Sequence, residues 1–128
     1  MSERKTTIAV LDDEAKMRSA LGRLLGTHGY KVELFETGDD FLTAARIHPP
    51  DCLLLDLHMP RTTGFDVLRS LSALNLRIPA IMVTGHDEPG NAERAHELGA
   101  AVYLLKPLDE SVLVQAIEQV RLPSGGEA

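Results

Sequence analysis

Acid, hydroxyl and amine side chains recur at one kind of place in this chain, directly after a short apolar run. Asp12, Asp13 and Glu14 follow Ile8-Ala9-Val10-Leu11, and Asp56 follows Cys52-Leu53-Leu54-Leu55. Thr84 and Gly85 follow Ala80-Ile81-Met82-Val83, and Lys106-Pro107 follows Val102-Tyr103-Leu104-Leu105. Three converging aspartates repel one another, so unless something neutralises them at least one carboxyl needs a raised pKa. A hard divalent cation such as Mg²⁺, which takes carboxylate, water and phosphate oxygens, fits that trio. The Thr84 hydroxyl and the Lys106 ammonium suit an anion instead. Together these residues describe a pocket for a metal ion and a phosphoryl group. No Ser or Cys stands with a His and an acid in a readable array, which leaves acyl transfer without support.

The elements that must position these groups are legible from periodicity. Four of the runs are almost continuously apolar, as in parallel strands buried on both faces. Val32-Glu33-Leu34-Phe35 is broken by Glu33 and reads as an edge strand, which leaves the Glu36 and Thr37 that follow it outside the site. Between the runs lie helical stripes: Met17, Ala20, Leu21, Leu24 and Leu25; Phe41, Leu42, Ala45 and Arg46; Phe65, Leu68, Leu71 and Leu74; Ala92, Ala95, His96 and Leu98; and Leu113, Ala116, Ile117 and Val120 with Asp109 as N-cap. Strand and helix alternate five times, with strand starts 20 to 28 residues apart. Right-handed crossovers then give a parallel sheet with helices on both faces, and such sheets bind ligands beyond the carboxyl ends of their strands.

Composition sets the outer bounds. The 128 residues suit one domain over 1–122, with a short loose tail over 123–128. A formal net charge of −6 argues against nucleic acid as a partner of this domain. No apolar run nears a membrane span and the N-terminus lacks a signal-peptide stretch, so a cytoplasmic location is expected. The one cysteine, Cys52, reads as a small buried thiol.

Asp12-Asp13, Leu54-Leu55-Asp56-Leu57-His58-Met59-Pro60 with Gly64, Val83-Thr84-Gly85, and Tyr103-Leu104-Leu105-Lys106-Pro107 resemble the signature set of response-regulator receiver domains, the phosphoacceptor modules of two-component signalling. The resemblance runs in order over nearly the whole chain. It implies an α/β, flavodoxin-like, doubly wound five-stranded parallel sheet of order 2-1-3-4-5 with five helices. It implies that Asp56 accepts phosphoryl from a phosphohistidine of a sensor histidine kinase or phosphotransfer protein. Mg²⁺ would be held by Asp13 and Asp56 through side chains, by Asp12 mostly through water, and by the backbone carbonyl of His58. Thr84 would bond a phosphoryl oxygen, and Lys106 would pair first with Asp56 and then with the phosphoryl group. Gly85 would let its N–H approach the anion closely, and a cis bond before Pro107 would aim the lysine inwards.

The same resemblance makes Tyr103 the switch aromatic that moves with Thr84, and gives the surface of Tyr103, the fourth helix and the last helix as the output face. His58 and His86 flank the site at positions that tune the lifetime of the acyl phosphate, whereas His28, His48 and His96 read as surface residues. Asp12-Asp13 also admits a plain reading, as a helix N-cap pair. Ala100-Ala101-Val102 stand where many relatives that dimerise through the fourth helix, fifth strand and fifth helix carry acids ahead of the switch aromatic. The salt-bridged version of that dimer is therefore not expected, while a homodimer on phosphorylation through an apolar surface stays open. Val112 and Val114 are expected to be partly exposed. The stretch Val83 to Pro89 resembles the nitrogen-fixation-regulator branch, whose members often carry a helix-turn-helix output domain; none follows within these residues, so the chain reads as a stand-alone receiver or one cut from a longer regulator. The competing readings are a Mg²⁺-dependent phosphohydrolase with an aspartyl-phosphate, disfavoured by His at position 58, a flavin-binding electron carrier on the same fold, and a receiver-like module that is never phosphorylated.

Overall fold

The structure, a computed structural model, describes residues 5–121. Five strands alternate with five helices: β1 (Thr7–Leu11), α1 (Ala15–Thr27), β2 (Lys31–Phe35), α2 (Gly38–Ile47), β3 (Cys52–Asp56), α3 (Gly64–Ala73), β4 (Ala80–Thr84), α4 (Asn91–Glu97), β5 (Val102–Leu105) and α5 (Glu110–Val120). All strand pairs are parallel and the sheet order is β2-β1-β3-β4-β5, as the resemblance implied. The candidate tail over 123–128 lies outside the described residues.

Alternation along each strand divides the core in two. Ala9, Leu11, Leu53, Leu55 and Met82 face one side, packing on Phe41 of α2, Leu68 and Leu71 of α3, and Ala95 of α4. Ile8, Val10, Leu54, Ile81 and Val83 face the other, packing on Leu21 and Leu25 of α1 and Leu113 and Ile117 of α5. The three central strands are therefore apolar except at an end residue (Thr7, Asp56 and Thr84), because both of their faces are covered. Cys52 is among the fully buried residues, and burial pushes its thiol up to about 12, so it behaves as a small hydrophobe.

The edge assignment of β2 holds, but β5 departs from its apolar reading. It forms the opposite edge, only partly covered, with Leu105 53% exposed. A continuous apolar run signals contacts above and below the sheet, and says nothing about whether a strand has one neighbour or two. The buried helical seams are also narrower than the sequence stripes. Ala20, Arg46, Leu74, Ala92 and His96 lie at their margins and are exposed.

Helix starts are set by local chemistry. Thr37 accepts the Asp40 N–H at the start of α2, and Thr63 and Asp66 form a reciprocal capping box at the start of α3. Asp109 caps α5 by accepting the Val112 N–H, as its position suggested. Among the described residues no helix is long and apolar enough to cross a membrane.

Candidate functional site

Register brings the first two acids together. Leu11 pairs with Leu55 across β1 and β3, so the next residues, Asp12 and Asp56, emerge side by side at the carboxyl end of the sheet. Neighbouring strands lie about 4.8 Å apart, which puts their carboxylates within reach of one another. Asp13 completes the group: one carboxylate oxygen from each of Asp12, Asp13 and Asp56 lies within 4.8 Å of the others. Asp12 and Asp56 are buried, Asp13 is exposed. The plain reading of Asp12-Asp13 as an N-cap pair is replaced here, because the N-cap of α1 is Glu14. Asp12 instead accepts the Glu14 N–H at 2.9 Å through Oδ1, which leaves its other oxygen facing the cleft.

That second oxygen meets Lys106. The lysine Nζ lies 3.3 Å from Asp12 Oδ2 and 3.4 Å from Asp56 Oδ1, so it is shared between two acids instead of pairing with Asp56 alone. The Lys106–Pro107 peptide bond is cis, as expected. Burial, followed by the neighbouring Asp12 charge, pushes the Asp56 carboxyl up to about 6, against the opposing pull of Lys106. Burial pulls Lys106 down, but the Asp12 and Asp56 charges outweigh it and hold the ammonium above the usual lysine range. Asp12, Asp13, Glu14, Asp56, His58, Gly85, His86 and Lys106 line one open cleft of about 440 Å³.

Thr84 is fully buried at the end of β4 and does not line that cleft. Its Oγ1 donates to the His86 carbonyl and accepts the His86 N–H, each at 3.1 Å, so its hydroxyl is engaged with its own loop. His58 Nε2 lies 3.0 Å from the same His86 carbonyl oxygen, and the two imidazole rings meet edge to face. Tyr103 is half-buried and donates its hydroxyl to Asp87 Oδ1 at 2.6 Å. Gly85 has a spatial role of its own: a Cβ there would rest 3.7 Å from Cδ of Lys106, an ordinary contact, so the lysine stem passes directly over this residue.

Against known proteins, the model of the family described as response regulator receiver domain matches residues 8–118. The chain belongs to that family. It is 34% identical over 113 residues to the transcriptional regulatory protein FixJ of Rhizobium meliloti, covering 88% of this chain and 55% of FixJ. It is 37% identical over 117 residues to the response regulator protein TodT of Pseudomonas putida, covering 91% of this chain and 52% of TodT. The receiver thus spans about half the length of these curated relatives, and FixJ among them agrees with the branch expected from Val83 to Pro89. The crystal structure of FixJ-N superposes with a TM-score of 0.85 at 32% identity, covering 91% of this chain and 94% of that one. Receiver domains of response regulators act with histidine kinases or phosphotransfer proteins, and typically use Mg²⁺ at an acidic pocket of this kind.

Three contributors to the receiver's site escape a reading of strand ends. Arg18, one turn into α1, donates to the Asp12 carbonyl at 2.8 Å and steadies the loop that carries the acids. Gly64 begins α3 against β3, where a Cβ would come within 2.9 Å of the Asp56 carbonyl oxygen and 3.0 Å of Leu57 Cα. Its place after the Asp56 motif was visible, but the close backbone approach was not. Asp87 has no sequence signal beyond its nearness to Thr84.

Proposed function

We propose that this receiver accepts a phosphoryl group on Asp56 from the phosphohistidine of a sensor histidine kinase or phosphotransfer protein. The observation that carries this reading is the sharing of one ammonium, Lys106, between the buried Asp12 and Asp56, with the Asp13 carboxylate beside them. A nucleophilic carboxylate approaching an anionic phosphoryl group needs positive charge on both sides of the transfer.

In the transfer an oxygen of Asp56 forms the new P–O bond. The P–N bond to the donor imidazole breaks, and the imidazole nitrogen leaves with the electron pair. Asp12, Asp13 and Asp56 offer the hard oxygen set that suits Mg²⁺, and the His58 carbonyl is the further ligand implied by the family. When bound, the cation would neutralise charge on the entering and phosphoryl oxygens. Lys106 stays with Asp12 and turns from the Asp56 carboxylate to the phosphoryl oxygens. Thr84 leaves His86 to donate to one of those oxygens, with the Gly85 N–H open to the same anion.

The readout is a change on the face built by Tyr103, α4 and α5, where Leu105 and Val112 are exposed. This makes the domain a cytoplasmic signalling phosphoacceptor and not a turnover enzyme, acting on an output partner or output domain. A homodimer formed on phosphorylation would use this apolar face.

Mass spectrometry after incubation with acetyl phosphate and Mg²⁺ tests the reading. Wild type should gain one phosphoryl group and Asp56→Asn none; undiminished labelling of the variant refutes the assignment of the acceptor.

A further inference from the structure

The loop joining β4 to α4 is held by side chains from three places. Thr84 at its root clasps both backbone groups of His86. His58, from the loop after β3, reaches the His86 carbonyl oxygen. The next residue, Asp87, takes the third hold, accepting the Tyr103 hydroxyl at 2.6 Å from β5. The Asn91 side chain at the start of α4 hydrogen-bonds the same hydroxyl. Tyr103 also borders a recess of about 200 Å³ lined by Ala92, Ala95, Ala100 and Ala101 together with His96 and Val102, which gives the ring space beside its present seat.

We propose that Asp87 is a latch: by accepting the Tyr103 hydroxyl it fixes the ring in its resting place and sets how readily the unphosphorylated domain visits the signalling conformation. The latch itself stands on the geometry; its signalling consequence rests on the phosphoacceptor reading above. A bond from a hydroxyl to a carboxylate is stronger than one between neutral groups, and this one exists only while the ring stays where it is. A contact made in one state alone is what biases a conformational equilibrium. For Thr84 to reach a phosphoryl oxygen on Asp56, its hydroxyl must let go of His86, and Asp87 follows His86 in the chain. Undoing the clasp therefore slackens the segment that carries the latch. By reciprocity, the factor by which phosphorylation weakens the latch equals the factor by which losing the latch favours the phosphorylated state. Asp87 is thus a positioning residue that acts through Tyr103.

The test uses the full chain carrying fluorotyrosine, in a Tyr30→Phe background so that fluorine NMR reports Tyr103 alone, together with the initial rate of labelling by acetyl phosphate in Mg²⁺. Asp87→Ala should move the Tyr103 resonance and raise the labelling rate by about three- to tenfold, the scale of one hydrogen bond at a solvent-exposed position. Asp87→Asn, which keeps a neutral acceptor, should fall between. Tyr103→Phe should raise the rate by a similar factor, and the double variant should gain no more than either single one. A resonance unmoved by Asp87→Ala, or rate effects that multiply in the double variant, would overturn the latch. If wild type takes up no phosphoryl group, the phosphoacceptor reading fails, and the resonance still decides the latch.

Discussion

Lys106 Nζ lies 3.4 Å from Asp56 Oδ1, although a whole strand, β4, stands between the elements that carry the two residues. The lysine crosses that strand's end over Gly85, where an added Cβ would make only an ordinary contact with its stem. Its charge is then placed between Asp12 and Asp56, which are also two of the three carboxylates suited to a cation. Lysine and metal would therefore compete for the same two carboxylates.

That competition sets the first prediction. Lys106→Met keeps most of the stem over Gly85 and removes the charge, so Mg²⁺ should bind several-fold more tightly. Isothermal titration calorimetry at about pH 7 reads the change directly. The metal-free variant should in turn lose about 1–3 kcal/mol of stability, because two buried carboxylates are left facing each other without a cation. Weaker Mg²⁺ binding in this variant would contradict the shared-cation arrangement.

The raised carboxyl of Asp56 gives a pH signature whose sign is fixed. Its ordinary value is 3.8 and the folded value is about 6. Below both values the group is protonated in either state and costs nothing. Between them the unfolded chain ionises first, the native state holds the extra proton, and stability falls as pH rises through that window. Above about 6 the full cost remains. Asp56→Asn, tested without Mg²⁺, should therefore stabilise the domain by about 1–3 kcal/mol near pH 7, with the gain vanishing below about pH 4. Urea denaturation at the two pH values measures it. Adding Mg²⁺ should raise the thermal midpoint of wild type clearly more than that of the variant.

Gly64→Ala should cost about 1–3 kcal/mol, since its methyl would meet the backbone of Asp56 and Leu57, which cannot swing aside as a flexible side chain would. Because the atom struck is the Asp56 carbonyl oxygen, Mg²⁺ affinity should fall as well. By contrast, Gly85→Ala adds only an ordinary contact with the Lys106 stem and should change stability by less than about 0.5 kcal/mol. Equilibrium unfolding of the pair separates a glycine required by packing from one that leaves a path open.

Thr84→Val tests what the hydroxyl does at rest. The variant keeps the shape of the side chain but loses both bonds to His86, leaving that N–H and carbonyl to other partners. Stability should drop by about 1 kcal/mol. Amide hydrogen exchange should quicken across residues 85–90 while the rest of β4 stays protected.

Much of this was legible in the sequence because its physics is local or periodic. Continuous apolar runs gave the central strands, and the polar residue after each run gave Asp12, Asp56, Thr84 and Lys106. The partial exposure of Val112 and Val114 was also foreseen from their flanking of the α5 stripe. What periodicity does not carry is relative placement. The edge position of β5 followed only from the family resemblance, since its apolar content matches that of a central strand. The division of Lys106 between two acids depends on register and on a path across Gly85. The steric demand at Gly64 is a contact between backbones far apart in the chain, and the hold of Asp87 on Tyr103 joins residues on separate elements. Neither leaves any mark on hydrophobic pattern.

The most direct measurement is to locate the phosphoryl group in wild-type protein. After reaction with acetyl phosphate in Mg²⁺, the acyl phosphate is trapped by borohydride reduction and the peptides are sequenced by mass spectrometry. The arrangement of Asp12, Asp13, Asp56 and Lys106 predicts a single modified residue, Asp56, whose labelling disappears when Mg²⁺ is chelated. Modification at another acid or at a histidine, or equal labelling without the cation, would contradict it.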